Sequence, residues 1–430
     1  MSATGSGMSR VAPDQVVNEA ASDAVGGRGA EPRLVLVANA RMPSQRAQSV
    51  QLAKAARAFQ RVGLGTTLIH AKRRDTASRP ATEVWRQLLM DHDASEAEPC
   101  LVAAPCSDWI DTVPRRAQFL PARLQEWTFG RNAARIVRRD FRGALCLVRD
   151  VEAGHALRGR PGLALEIHRV PGGQTRRRWL LESVRLGARV IAISGGVRDD
   201  LVALGVPAKR IQVEHDAVDA GLAARLPSRA DARAKLGLDP ERQVVLYAGG
   251  LLRWKGVDVL IDAAVEHADQ LKGALVLIVG GMDADVAALR KKAAGATNVR
   301  IDGYREAHLI PAYLAAADVG VVPNRRTPRI SSHYTSPLKV FESMAAGLPL
   351  VASDLPSLRD AVRLEGGAVF VDPENPAALA AGIGGLLADP ARRASMADRA
   401  RLAMESNTWE ARAHRILAFM SQESQGSPRP

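Results

Sequence analysis

Few of the 430 residues are aromatic, only 4%, and cysteines number three. No apolar run approaches the ~20 residues that a bilayer-spanning helix needs, so a helical membrane span is not expected. Cys100, Cys106 and Cys146 are odd in number and scattered, which leaves no disulfide framework and no zinc spacing. Each lies in or beside an apolar run, and the expectation is three buried free thiols in a cytoplasmic protein. So few rings give no stacking platform for nucleic acid, and helix-turn-helix or zinc-finger spacing is absent. A net charge of +13 and a sequence pI near 10.2 would otherwise invite that reading. Lysine is scarce as well, nine of 59 basic residues. The Ala-, Gly- and Ser-rich start, Met1 to Glu31, has neither the basic-then-apolar order nor the cleavage pattern of a secretory signal.

What is present is an alternation of strands and helices. Strands are predicted at 33–38, 66–70, 100–104, 144–148, 163–167, 190–194 and 211–214, and again from Val244, Leu275, Val299, Val319, Leu350 and Ala368. Most are separated by helical stretches, as a parallel sheet requires. The polar stretch 219–240 divides the series. At one domain per ~150 residues the length allows two or three domains, and the pattern selects two doubly wound α/β domains facing a cleft. The expected boundaries are a disordered tail over 1–32, a first domain over 33–220, a second over 221–405, a C-terminal helix over 406–422 and a tail over 423–430. The charge is localised: 15 Arg against 5 acids fall between Val113 and Arg178, all in the first domain.

The run 335–349 builds a ligand site from helix chemistry. Ser336 suits an N-cap, Pro337 the first helical position and Gly347 the residue past the C-terminus. The free N–H groups of Leu338 and Lys339, with the helix dipole and the Lys339 ammonium, favour an anion. Glu342 lies one turn on, its carboxylate leaning back to accept bonds from neighbouring hydroxyls such as those of a ribose. A second segment complements it. The strand at 243–248 runs into Gly249 and Gly250, then Arg253 and Lys255, at a strand's carboxyl end where α/β sheets bind ligands. The guanidinium can fork a diphosphate and the ammonium adds a point charge.

With these motifs the chain resembles family 4 of the GT-B glycosyltransferases, retaining enzymes that use nucleotide-activated sugars. Further marks are Glu166-Ile167-His168, the stretch His215 to Asp219, Val351 to Pro356 and Thr408-Trp409-Glu410. The resemblance covers most of the chain and implies two Rossmann-like domains, with the C-terminal helix crossing back to the first. It implies a nucleotide-sugar donor held by the second domain, at Gly249, Gly250, Arg253, Lys255, Ser336, Pro337, Leu338, Lys339 and Glu342. His168, at a strand end facing the cleft, would meet the donor sugar and join Arg253 and Lys255 as catalytic residues. The first domain would take a carbohydrate or lipid-linked acceptor, with Arg41, Ser44, Gln45 and Arg46 on its first βα loop as candidates. No cofactor is expected beyond the donor. No metal is expected either: the cations serve the leaving diphosphate, and Asp283-Ala284-Asp285 reads as a cap for the next helix.

One position departs from the family. Eight residues before Glu342, where the family often has a Glu touching the donor sugar, stands Tyr334. Ser331, Ser332, His333 or the backbone at Thr335 and Ser336 are the candidate substitutes, and the retaining outcome rests on the resemblance alone. The expected activity is transfer of a sugar to an acceptor hydroxyl in polysaccharide, glycolipid or glycoconjugate synthesis. The alternatives are a GT-B sugar-nucleotide epimerase or hydrolase, and a nucleotide-sugar-binding protein without turnover. The Arg-rich stretch is expected either to be a solvated face or to bring the protein to an anionic membrane, with the segment 127–142 laying Trp127, Phe129, Ile136, Val137 and Phe141 into the interface.

Overall fold

A computed structural model describes residues 33–44, 47–74, 80–89, 97–362 and 367–422. The tails expected at 1–32 and 423–430, and the acceptor-side candidates Gln45 and Arg46, lie outside the described residues. The first domain runs β1 (Arg33–Ala38), α1 (Ala47–Arg61), β2 (Gly65–Ala71), α2 (Ala81–Leu88), β3 (Cys100–Ala104), α3 (Phe119–Asp140), β4 (Leu145–Val148), α4 (Val151–Ala156), β5 (Leu163–Ile167), α5 (Gln174–Arg185), β6 (Arg189–Ala192), α6 (Gly195–Ala203) and β7 (Ile211–Val213). Its seven strands are parallel in the order β3-β2-β1-β4-β5-β6-β7.

The second domain runs α7 (Arg229–Leu236), β8 (Val244–Ala248), α8 (Val257–Glu266), β9 (Leu275–Val279), α9 (Asp283–Lys292), β10 (Val299–Gly303), α10 (Ile310–Ala316), β11 (Val319–Val322), α11 (Leu338–Ala345), β12 (Leu350–Ser353), α12 (Pro356–Val362), β13 (Ala368–Val371), α13 (Pro376–Ala388) and α14 (Pro390–Glu405). Its six parallel strands take the order β10-β9-β8-β11-β12-β13.

Side chains alternate between the two faces of each sheet, so each sheet carries an apolar core on either side. In the first domain Val35, Val37, Cys146, Val148 and Leu165 pack against α3, α4 and α5. Leu34, Leu36, Leu68, Leu147 and Ile191 face α1 and α2. That second core also takes α15 (Trp409–Ser421), which returns to the first domain and buries Trp409, Ala413, Ile416, Leu417, Phe419 and Met420 there. Thr408 caps the helix by accepting from the Ala411 N–H at 3.1 Å. Two backbone bonds, Val218 N to Asn407 O and Trp409 N to Val218 O, tie the crossing chain to the interdomain segment.

Two expectations are corrected. Of the cysteines only Cys146 is buried; Cys100, on the edge strand β3, is exposed and Cys106 is half-buried, and all three are free. Asp283 and Asp285 do not cap α9 but lie inside its first turn, where their charges favour the positive end of the helix dipole.

Candidate functional site

Strand order reverses between β1 and β4 in one sheet and between β8 and β11 in the other, which places a crevice at the carboxyl end of each pair. The loops bordering them carry Asn39 to Ser44, Arg149, Asp150 and His168 in the first domain, and 249–256 with 323–337 in the second.

The second-domain crevice is cationic. Beyond β8, Arg253 to Lys255 form one tight turn that ends at Gly256, whose φ is 68°. A Cβ there would stand 1.8 Å from the Pro323 carbonyl oxygen, so only glycine lets this turn lie against the end of β11. The Lys255 ammonium sits 3.9 Å from the Trp254 ring centre and that of Lys339 4.0 Å from the ring centre of Tyr247. Tyr247 is buried, its hydroxyl donating to the Gly250 carbonyl at 2.6 Å. Gly249, at φ 148°, lies beside the Lys339 stem. The Lys339 Nζ is fully buried without a hydrogen-bond partner among the described residues. Burial lowers Lys255 to about 8. Burial, reinforced by the neighbouring Lys255 charge, holds Lys339 well below its ordinary value. A buried ammonium set against a half-buried neighbour of the same charge is a pre-formed anion site. Arg253 is exposed beside them.

Ser336 does not cap α11. The helix begins at Leu338 with Pro337 in the cap position and no side-chain cap, while Gly347, at φ 69°, follows its end. The Ser336 hydroxyl instead accepts from the Asp216 N–H at 2.8 Å, which leaves the first N–H groups of α11 without a side-chain partner and fixes the segment to the interdomain chain.

Glu342 is not an isolated acceptor. Lys54, on α1 of the first domain, reaches across the cleft to Glu342 Oε1 at 3.4 Å and to Asp219 Oδ2 at 2.9 Å. The Lys54 side chain is 3% exposed. Burial would lower its pKa, but the two carboxylates outweigh it and leave the value raised. Sequence reasoning missed Lys54; its one signal was a charge placed among Ala53, Ala55 and Ala56 on a face that is otherwise buried.

His168 follows β5 with its side chain one-third exposed, its Nε2 2.6 Å from Glu166 Oε1 and also against the Arg149 guanidinium, the same nitrogen of which lies 3.2 Å from Nδ1. Burial first, then the Arg149 charge, lowers it to about 4, so the ring is neutral at pH 7. Glu166 is buried between Arg149 at 3.1 Å and Arg412 of α15 at 3.4 Å, and these cations hold its carboxylate well below the usual range against its burial. Asp216, bonded by the Gln51 amide, is lifted to about 7 by burial. Gln51, Arg149, Glu166, Asp216 and Arg412 line a small internal cavity with Leu36, Leu147 and Trp409. His215 is buried with Nε2 3.1 Å from Asp360.

Tyr334 has structural work. It packs into the first-domain core, and its hydroxyl donates to Asp200 of α6, which Arg329 also grips at 2.9 Å. A Cβ on Gly196 would meet the His333 carbonyl oxygen at 2.2 Å, so the two domains touch backbone to backbone here. Of the candidate substitutes, Ser331 bonds the Trp254 carbonyl at 3.4 Å and Ser332 pairs with His333 Nδ1 at 2.8 Å.

On the acceptor side, Arg41 is bound to Asp111 at 2.6 Å, and Ser44 is half-buried on the same loop. Asn39 and Gln125 exchange amide bonds of 2.8 and 2.7 Å, and Asp150 accepts from the Asn39 N–H at 2.5 Å while burial raises it to about 7. Asn39, Asp150 and Arg149 were not singled out from sequence, although strand ends are where such residues should be sought. Neither was Asn324, just past β11, which is fully buried with both amide atoms unpartnered among the described residues. Among those residues no group of three or more His, Cys, Asp or Glu could hold a metal ion.

Residues 242–389 match the family model described as Glycosyl transferases group 1. The D-inositol 3-phosphate glycosyltransferase 1 of Catenulispora acidiphila is 32% identical over 250 residues, covering 55% of this chain and 58% of that protein. The alpha-D-kanosaminyltransferase of Streptomyces kanamyceticus is 28% identical, over 51% of this chain and 56% of that one. The chain thus spans little more than half the length of these curated relatives. Among solved structures, the sucrose-phosphate synthase of Thermosynechococcus elongatus superposes with a TM-score of 0.68 at 21% identity, over 91% of this chain and 98% of its own. The Anabaena protein HepE, in complex with UDP and glucose, gives 0.67 at 18% identity, over 91% and 100%. The architecture is GT-B, as the sequence led one to expect.

Proposed function

We propose that this chain, a GT-B protein whose residues 242–389 are a group 1 glycosyl transferase domain, moves a sugar from a nucleotide-diphosphate sugar to an acceptor hydroxyl. The observation that carries the reading is the Lys339 ammonium, buried with no hydrogen-bond partner among the described residues and next to the charge of the half-buried Lys255, where the second sheet opens to the cleft. In transfer the bond from the anomeric carbon to the diphosphate oxygen breaks and its electron pair stays with the diphosphate. The acceptor oxygen bonds to that carbon and its proton is released. Negative charge grows on the leaving oxygen, and Lys255, Lys339 and Arg253 stand ready to stabilise it without reorganising. Since side chains supply this charge, the reaction is proposed to need no metal.

Glu342 would receive the ribose hydroxyls in competition with, or alongside, Lys54. His168 would wall the sugar subsite, its Nε2 held between Glu166 and Arg149, and no proton transfer is assigned to it. The acceptor, a carbohydrate or its lipid-linked form, belongs at the β1–β4 crevice, with Arg41 and Ser44 at its rim and the protein peripherally attached to an anionic membrane. Retention of anomeric configuration is part of the proposal. The test is incubation with a panel of nucleotide sugars, beginning with UDP-glucose because HepE holds UDP and glucose, together with candidate acceptors. A transfer product of unchanged anomeric configuration supports the reading. Free sugar alone points to hydrolysis, and binding without chemistry to a carrier.

A further inference from the structure

We infer that the outer face of α3, with the loop that precedes it, docks on an anionic lipid bilayer and presents a lipid-linked acceptor to the first-domain crevice. The inference rests on the transfer reading above for the acceptor, though not for the surface itself. The inner face of α3, Gln125, Phe129, Gly130, Ala133, Ala134 and Val137, recurs at helical spacing and is buried. Phe129 and Val137 are therefore core, and Ile136 and Phe141 pack against that core, so of the edge expected from sequence at 127–142 only Trp127 is exposed.

The exposed edge lies earlier. Phe119 is 67% exposed, Leu120 74%, Leu124 46% and Trp127 46%, stacked along the first turns, and Trp109 is 58% exposed on the preceding loop. Five of the thirteen exposed large apolar side chains among the described residues thus fall within one short stretch, which scattered surface residues would not do. From Arg131 the same face turns basic, through Arg135 and Arg138, all exposed. Cations also lie over the apolar edge: Arg123 is 5.3 Å from the Phe119 ring centre and Arg131 4.7 Å from that of Trp127. Aromatic rings at the acyl boundary with guanidinium groups reaching phosphates are the arrangement of an interfacial helix.

Topology sets this face beside the cleft. The loop after β3 emerges at the carboxyl edge of the sheet and is tied to the neighbouring loops by Arg41 to Asp111 and Arg73 to Asp108, both 2.6 Å. Gln125, on the inner side of the same turns, bonds Asn39 in the crevice. A bilayer against Phe119, Leu120 and Trp127 would hold a membrane-bound acceptor at the rim where the transferring hydroxyl must enter.

The test is co-sedimentation of the full chain with vesicles of phosphatidylcholine alone or mixed with phosphatidylglycerol in equal parts, at low and moderate salt. Binding only to the mixed vesicles, weakened by salt, is expected. Leu120→Asp with Leu124→Asp should abolish it, and Arg131→Ala with Arg135→Ala should weaken it by about thirtyfold, the loss of two interfacial cations. All four positions are exposed, so unchanged thermal unfolding and unchanged UDP-glucose binding should accompany these variants. The inference is overturned if the wild type stays in the supernatant with every vesicle. It is equally overturned if the Asp variant sediments as the wild type does, or if the face mediates only pairing of two copies in solution. A chain that docks but turns over no nucleotide sugar sinks the transfer reading and leaves this surface standing; one that transfers sugar yet ignores vesicles does the reverse.

Discussion

Lys339→Met should make the protein more stable and a worse nucleotide binder at once. Methionine keeps the straight stem beside Gly249 and removes only the ammonium. In the free protein that ammonium is buried, with no hydrogen-bond partner among the described residues, and next to Lys255, so its desolvation and repulsion disfavour the folded state. Its contact with the Tyr247 ring, 4.0 Å from the centre, returns about 0.5–2 kcal/mol. The balance should favour the variant by about 1 kcal/mol, small beside the several kcal/mol that an unpaired buried charge can cost. With a diphosphate bound the sign reverses, because a charge-assisted hydrogen bond worth about 1.5–3 kcal/mol is lost. UDP should therefore bind roughly tenfold to 150-fold more weakly. Urea unfolding with and without UDP measures both quantities, since ligand at 100 times its dissociation constant adds about 2.7 kcal/mol to the wild type. A variant that is less stable than the wild type and binds UDP equally well would refute the anion-site argument.

The pH dependence follows from the same pair. Lys255 falls to about 8 in the folded chain against 10.5 when unfolded, so between those values the unfolded chain holds more protons and the free protein gains stability as pH rises. Donor affinity should move oppositely, holding below about pH 8 and falling above it as Lys255 deprotonates; titration calorimetry across pH 7 to 10 reads this. Lys54→Met should cost about 3 kcal/mol in urea unfolding, because Asp219 and Glu342 lose their shared buried cation. The raised Lys54 pKa makes that contribution fully present below pH 10.5 and lost as pH climbs through the folded value. Glu342→Gln should weaken donor binding about tenfold with little change in stability, as Lys54 keeps Asp219; equal affinity with lower stability would make Glu342 a cleft brace only. Arg253→Ala should lower turnover at least about a hundredfold while leaving unfolding unchanged, and activity lost in EDTA and restored by Mg²⁺ would contradict the metal-free mechanism.

The sequence by itself determined most of the frame. The strand runs at Arg33, Leu163, Val244, Leu275 and Leu350 are apolar because a parallel sheet buries both faces, and that signal is local. The end of α11 at Gly347 was legible as well, because a helix commonly ends on a glycine of positive φ. Anything depending on which side chains meet across the cleft was decided by the tertiary structure alone. Ser336 reads as a cap, yet the Asp216 N–H, 120 residues away in sequence, takes its hydroxyl. Tyr334 marks a missing carboxylate until its hydroxyl is found on Asp200, and Glu342 an open acceptor until Lys54 arrives from the other domain. Helical spacing placed a face on α3, but only the packing of Phe129 and Val137 into the core showed which face was left for solvent. Periodicity and turn chemistry are written within a few residues, whereas the partner of a charge is set by how two separately folded sheets come to face one another.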